Sequence, residues 1–146
     1  MTKSIAVDFA PVDGAMVFVA QSDEYAGSNA STDQVTYGGT YTAGAVTAGI
    51  QMTSIDKSAV NTDQDRTHIA ASFAVNDNLS VSVTQMDNEF DKASGTNVTE
   101  ETSGVGISYT MGSASVRMLR AETDNLGGVS TAKSVEHTEI SLLLAF

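Results

Sequence analysis

The sequence of 146 residues contains no cysteine, no tryptophan and a single proline, Pro11. Without cysteine, disulfides and thiolate metal sites are excluded. Cations are scarce as well, because 7 Lys and Arg stand against 18 Asp and Glu, for a net charge of -11. Nucleic-acid phosphates are bound by clustered cations, so this balance argues against a nucleic-acid partner.

Long apolar runs and catalytic motifs are missing too. No run approaches the roughly 20 apolar residues that a transmembrane helix needs. The first ten residues lack the apolar stretch, about 7–15 residues long, of a signal peptide. There is no GxSxG, no HExxH and no phosphate-binding glycine loop, and the two histidines, His68 and His137, are isolated. We therefore expect no enzymatic activity and no catalytic cofactor.

What the sequence does contain is a repeated alternation of apolar and polar residues, which is the period of a β-strand. Short turns such as Pro11–Gly14 and Gly112–Ser113 alternate with longer polar loops, and no helical pattern interrupts them. The chain is therefore predicted to be all-β, antiparallel and up-and-down. Nine strands are predicted, at residues 4–10, 15–22, 34–42, 45–55, 66–75, 79–87, 102–111, 114–123 and 134–146.

The last predicted strand, SVEHTEISLLLAF, has one apolar wall formed by Ile140, Leu142, Leu144 and Phe146. It resembles the C-terminal strand of bacterial outer-membrane porins, and the whole chain is similar to the general porins of the alphaproteobacterial, 16-stranded type. The resemblance implies a transmembrane β-barrel segment with short periplasmic turns and long external loops in the bacterial outer membrane. It also implies a homotrimer, contact with the lipid bilayer and lipopolysaccharide, and a water-filled channel for passive diffusion of small hydrophilic solutes and ions.

Two features favour a wide pore. The polar faces of strands three to seven consist mostly of Gly, Ala, Ser and Thr, which would leave a narrow eight-stranded barrel hollow. Nine strands also cannot close by antiparallel pairing, which needs an even number. We expect residues 1–146 to be a single barrel region, the C-terminal half of a larger barrel, and the chain to be a mature protein or part of a longer precursor. An eight-stranded barrel without the first strand, with an adhesion or structural role, and a soluble β-sandwich binding module stay open as alternatives.

The alternation also sorts candidate functional residues by face. Charged residues that face the lumen tune ion selectivity in barrels, although ordinary solvated residues would show the same pattern. Arg120 has the opposite, outward parity, which predicts either a β-bulge after Met118 or a side chain that reaches toward the headgroups. The predicted pore-lining residues are Asp8, Arg66, His68, Arg117, His137 and Glu139. The predicted membrane-facing residues are Val35, Tyr37, Tyr41, Val46, Ile50, Ile69, Phe73, Val105, Ile107, Tyr109, Leu142, Leu144 and Phe146.

The predicted loops are acidic. Carboxylates are suitable ligands for Ca²⁺, and the resemblance implies divalent cations at the loop surface, but no defined ligand spacing such as an EF-hand loop is present. Plain solvated loops are the simpler interpretation. The residues concerned are Asp23, Glu24, Asp33, Asp56, Asp63, Asp65, Asp87, Glu89, Asp91, Glu100 and Glu101.

Overall fold

The computed structural model describes residues 2–25, 31–57, 63–92 and 95–145. Within these ranges the chain forms strands and turns, and no helix is long and apolar enough to span a membrane. The predicted membrane contact of Phe146 lies outside the described residues. The nine strands are β1 (Thr2–Phe9), β2 (Ala15–Tyr25), β3 (Ser31–Ala43), β4 (Val46–Lys57), β5 (Gln64–Ala74), β6 (Leu79–Phe90), β7 (Val98–Met111), β8 (Ala114–Asp124) and β9 (Val135–Leu144).

All nine strands form one antiparallel sheet in sequence order, which confirms the predicted up-and-down architecture. β1 pairs with β2 over its whole length, so it is an integral strand and not a peripheral segment. Among the described residues, β9 pairs with β8 and with no other strand. The alternative in which eight strands close without β1 is therefore wrong for this structure. The β-sandwich alternative is wrong as well, because a sandwich needs a second sheet packed on the first.

Eight of the nine strands are longer than predicted, and the additional residues lie mainly where the longer loops were expected; β9 is shorter than predicted and ends at Leu144. β3 begins at Ser31 instead of residue 34, β6 ends at Phe90 instead of residue 87, and β7 begins at Val98 instead of residue 102. Consequently, of the eleven acidic residues predicted to lie in loops, all but Asp63 and Asp91 belong to strands. Charged residues have low strand propensity, but that preference is weak once a neighbouring strand offers backbone partners.

The connections alternate between two ends of the sheet. At one end, called here the turn end, four connections of five, two, four and two residues follow β1, β3, β5 and β7. Gly14, Gly44 and Gly112 adopt positive φ there, and the Asn76 side-chain oxygen accepts hydrogen bonds from the amides of Asn78 and Leu79. At the other end, the loop end, the connections have five, six, seven and ten residues. The expected difference between turns and loops is thus present but smaller than predicted.

The distribution of exposure is the reverse of that in a soluble domain. No apolar side chain among the described residues is buried, and Ile5, Tyr37, Ile69 and Leu142 are between 51% and 67% exposed. In β3 and β7 the polar positions are more shielded than the apolar positions between them. A sheet that bends toward one face crowds the side chains of that face, so we infer that the polar face is concave.

Candidate functional site

The continuous register aligns the strands into two faces of opposite character. The polar face carries rows of small residues that cross several strands. Ser82 pairs with Gly106 in one row, and Thr36 pairs with Thr53 in another. Hydroxyl groups pair across strands at Thr36–Thr53 (3.0 Å) and Thr102–Thr123 (2.9 Å). These contacts satisfy the hydroxyl groups within the polar face.

The most shielded side chains of the described residues lie on this polar face. Thr53 is 5% exposed and Asn88 is 2% exposed, and Arg66 pairs in register with both of them. Arg66 Nε and Asn88 Oδ1 are buried without a hydrogen-bond partner. Nε is a donor and Oδ1 is an acceptor, so the two atoms have complementary hydrogen-bonding roles.

The six predicted pore-lining residues all lie on the polar face. The register places Asp8 in the same cross-strand row as His68, and it pairs Arg66 with Thr53. They are dispersed over β1, β5, β8 and β9 and do not form one cluster. His68 Nε2 lies 2.6 Å from Thr84 Oγ1, and His137 Nε2 lies 3.7 Å from Glu139 Oε2.

Three further charged residues lie on the polar face and were not predicted to line the pore. Glu24 pairs with Thr32, which in turn pairs with Lys57, and Glu100 pairs with Asn88. All three had been placed in the predicted loops, outside the predicted strands. Extending the two-residue alternation of each predicted strand into the adjoining loop would have assigned these residues to the polar face.

The opposite, apolar face carries a continuous band of aliphatic and aromatic side chains. In β7 the band runs from Val105 to Met111, which spans about 20 Å at the rise of an extended strand. A lipid-facing band of a membrane barrel is about 25 Å tall. Tyr41, Phe73 and Tyr109 lie near the turn end and are 55%, 46% and 44% exposed, as in an aromatic girdle.

The remaining predicted membrane-facing residues that the structure describes belong to the same band. Val35 and Tyr37 lie on the same face of β3, two residues apart, and the register connects Val46, Phe73, Val81 and Ile107 in one row across four strands. All of these apolar residues are exposed, in agreement with a face that contacts lipid.

Arg120 lies on the apolar face without any β-bulge. The pairing of β8 with both neighbours continues in register through Arg120, opposite Val105 and Thr138. Its guanidinium bonds to Glu136 Oε1 at 3.1 Å, and both side chains are 59% exposed. Glu136 is nearer the loop end than Arg120, so the side chain extends toward the edge of the apolar band. The predicted β-bulge is absent, and contact with the headgroups stays a prediction.

Beyond the apolar band, at the loop end of the same face, lies an acidic belt. It contains ten of the 18 acidic residues: Asp23, Asp33, Asp56, Asp65, Asp87, Glu89, Glu101, Glu122, Asp124 and Glu136. Many of them face another carboxylate directly: Asp23–Asp33, Asp33–Asp56, Asp65–Glu89, Asp87–Glu101, Glu101–Asp124 and Glu122–Glu136. The net negative charge of the chain is therefore concentrated on the outward surface and not on the polar face. In the described ranges, no group of three or more Asp, Glu and His side chains is arranged to hold a metal ion.

One family model and several solved structures are similar to this chain. A family model described as Gram-negative porin matches residues 4–132. No curated protein matches the sequence.

The fold is similar to solved structures of OmpT, an outer-membrane protein of Vibrio cholerae. The match to the in-vitro folded form has a TM-score of 0.70 and covers 95% of this chain and 52% of the OmpT chain. The match to the outer-membrane expressed form also has a TM-score of 0.70 and covers 97% of this chain and 53% of the OmpT chain. The mutant lacking loop L8 has a TM-score of 0.78 and covers 97% and 52%. Sequence identity is 15% in each case, so the likeness concerns the fold, and the chain spans about half the length of these proteins. The sequence match and the two-faced sheet lead to the same conclusion: the chain belongs to the Gram-negative porin family of the bacterial outer membrane.

Proposed function

We propose that the chain forms part of the wall of a water-filled channel, through which small hydrophilic solutes and ions diffuse passively. The observation that carries this proposal is the reversed pattern of exposure. Small polar residues line the more shielded, concave face, while the apolar side chains are exposed on the other face. That arrangement is stable when the concave face meets water and the other face meets lipid.

In this proposal the wall acts without catalysis and without a cofactor. Gly, Ser and Thr leave room for water and offer hydroxyls to passing solutes. Selectivity comes from the few charged groups of the polar face, because charges that line a pore attract counter-ions and repel ions of their own sign. Arg117 is the clearest candidate, since its side chain has no ion pair with any described residue.

The experiment compares two arginines of β8 that lie on opposite faces. We expect Arg117→Glu to shift ion selectivity toward cations in planar bilayers, because it reverses a charge on the polar face. Arg120→Glu is the matched control, since it makes the same change three residues away on the apolar face. Reversal potentials are measured in a salt gradient on the whole protein. If the two variants behave alike, the polar face does not line the pore.

The proposed partners of the apolar face are the bilayer and lipopolysaccharide. The apolar band provides the surface for acyl chains, and Arg120 lies at its loop-side edge. The porin resemblance also predicts Ca²⁺ at the acidic loop end and a homotrimeric assembly; both stay predictions. Cross-linking of the protein in outer-membrane vesicles, with and without a chelator, would address both.

A further inference from the structure

A recess of about 300 Å³ lies on the polar face across β6 to β9. The side chains around it come from two neighbouring cross-strand rows. Ser80, Ser108 and Arg117 belong to one row, and Ser82, Gly106 and Glu139 belong to the other. With Ser141, which pairs with Arg117, the recess combines four serine hydroxyls with one guanidinium and one carboxylate.

Gly106 leaves the space that forms the recess. A Cβ atom at this position would come within 2.6 Å of Ser82 Oγ. Any side chain at residue 106 would therefore occupy the recess and displace the serine hydroxyl. The neighbouring strand backbone is farther away, with Met118 O at 3.8 Å, so the strand itself could accept a side chain.

The two charged groups of the recess do not neutralise each other. Arg117 has neither an ion pair nor a side-chain hydrogen bond with the described residues, and the ion-pair contact of Glu139 is with His137, at 3.7 Å. Arg117 pairs with Ser141 and Glu139 with Leu119, so the two are diagonal neighbours on adjacent strands. Diagonal neighbours are separated by roughly 7–8 Å. That distance separates the strand positions, and both side chains are long enough to meet a molecule that carries the two opposite charges a few ångströms apart.

We propose that the recess binds a small zwitterionic solute of amino-acid size. This inference rests on the proposed function, because it requires the polar face to line the pore. The solute carboxylate accepts two hydrogen bonds from the planar guanidinium of Arg117. Its ammonium group donates to the Glu139 carboxylate, and the serine hydroxyls complete the contacts. A solute of one charge gains at one of these groups and is repelled by the other, whereas a zwitterion gains at both.

The test measures single-channel conductance of the whole protein in planar bilayers at neutral pH while solutes are added. L-alanine is the probe, and propionate and ethylamine are its matched single-charge controls. We expect L-alanine to reduce the conductance in a saturable way and each control to need about tenfold more solute for the same reduction. Arg117→Gln and Glu139→Gln should each raise the half-blocking concentration of L-alanine by about tenfold as well.

Three further variants separate binding from general effects on the channel. Gly106→Val fills the recess while both charges remain, and we expect it to abolish the block. Ala121→Val adds bulk to the polar face of β8 outside the recess, and Arg120→Gln removes a charge from the apolar face; neither should change the block.

The outcomes distinguish this inference from the proposed function. A protein that conducts, but is not blocked by L-alanine or is blocked equally by propionate and ethylamine, overturns the zwitterion site and leaves the channel intact. Equal block of Gly106→Val and Ala121→Val also overturns the site. A correctly inserted protein without conductance overturns the channel, and the recess site with it.

Discussion

At the scale of single residues, the directly opposed carboxylates of the acidic belt are the least favourable contacts of the sheet. Asp33 faces a carboxylate on each side, Asp23 on β2 and Asp56 on β4. Like charges directly opposite each other destabilise a strand pair. These contacts could not be recognised from sequence, because the acidic residues fall into opposing pairs only when the register of neighbouring strands is known.

The first prediction is that Asp33→Asn stabilises the protein. It removes two repulsive contacts, and the free energy of unfolding should increase by about 0.2–1 kcal/mol at low salt. The gain should decrease at high ionic strength, because salt screens exposed charges. Urea unfolding of the protein in lipid vesicles measures the change. Asp77→Asn, in the turn 75–78, is the control and should have no such effect. A destabilised Asp33→Asn would contradict the prediction.

A second prediction at this scale concerns the glycines of the polar face. A Cβ atom on Gly38 would lie 2.3 Å from the Ile50 carbonyl oxygen and 2.9 Å from the Phe18 ring that faces it. A backbone carbonyl within a paired strand cannot move aside, so we expect Gly38→Ala to destabilise the protein by about 1–3 kcal/mol. At Gly106 the close atom is the Ser82 hydroxyl, which can rotate. Gly106→Ala should therefore unfold at a higher urea concentration than Gly38→Ala, and the reverse order would contradict this prediction.

At the scale of elements, β7 presents the two faces most distinctly. Its odd-numbered positions from Val105 to Met111 are exposed and apolar, whereas Gly104 and Gly106 are shielded. Ser103 and Glu101 continue the apolar face into the acidic belt. One strand therefore contributes to the polar face, the apolar band and the acidic belt.

We predict that nitroxide labels along β7 report this division. Labels at Val105 and Ile107 should be accessible to oxygen and shielded from a water-soluble quencher, because these side chains face lipid. Labels at Glu101 and Ser108 serve as controls and should be open to the quencher. Labels at all four sites that respond equally to both reagents would show that the apolar face is not in a bilayer.

The faces of the strands were predictable from sequence, while the strand ends and cross-strand neighbours were not. Period-two alternation within one segment is sufficient to assign Arg117 inward and Arg120 outward. The end of a strand depends on how far its neighbour offers backbone partners, which is why Glu100 and Asp33 were placed in loops. The recess at Gly106 depends on the register of four strands together, and single-strand patterns contain no such information.

At the scale of the whole molecule, the direction of the edge strands decides what can complete the sheet. β1 and β9 are both odd-numbered strands of an up-and-down sheet, so they run in the same direction. Strands that join their free edges by antiparallel pairing must therefore be odd in number. A total between 16 and 18 strands, the range of barrels with a water-filled channel, would require seven or nine further strands.

The last prediction is that a second copy of the chain cannot provide these strands. If two copies insert in the same orientation, β9 of one meets β1 of the other in parallel, contrary to the pairing of every other strand in the sheet. If one copy is inverted, the edges can pair antiparallel, but the loop ends then lie on opposite sides of the membrane.

A polypeptide limited to residues 1–146 should therefore remain open, and its exposed edges should associate into aggregates without pore activity. Refolding it into detergent and lipid vesicles, followed by sedimentation and conductance measurements, tests this. A monodisperse dimer with stable conductance would contradict this prediction. A disulfide between Val17→Cys and Leu142→Cys would contradict it as well, because it would show that β2 to β9 close without β1.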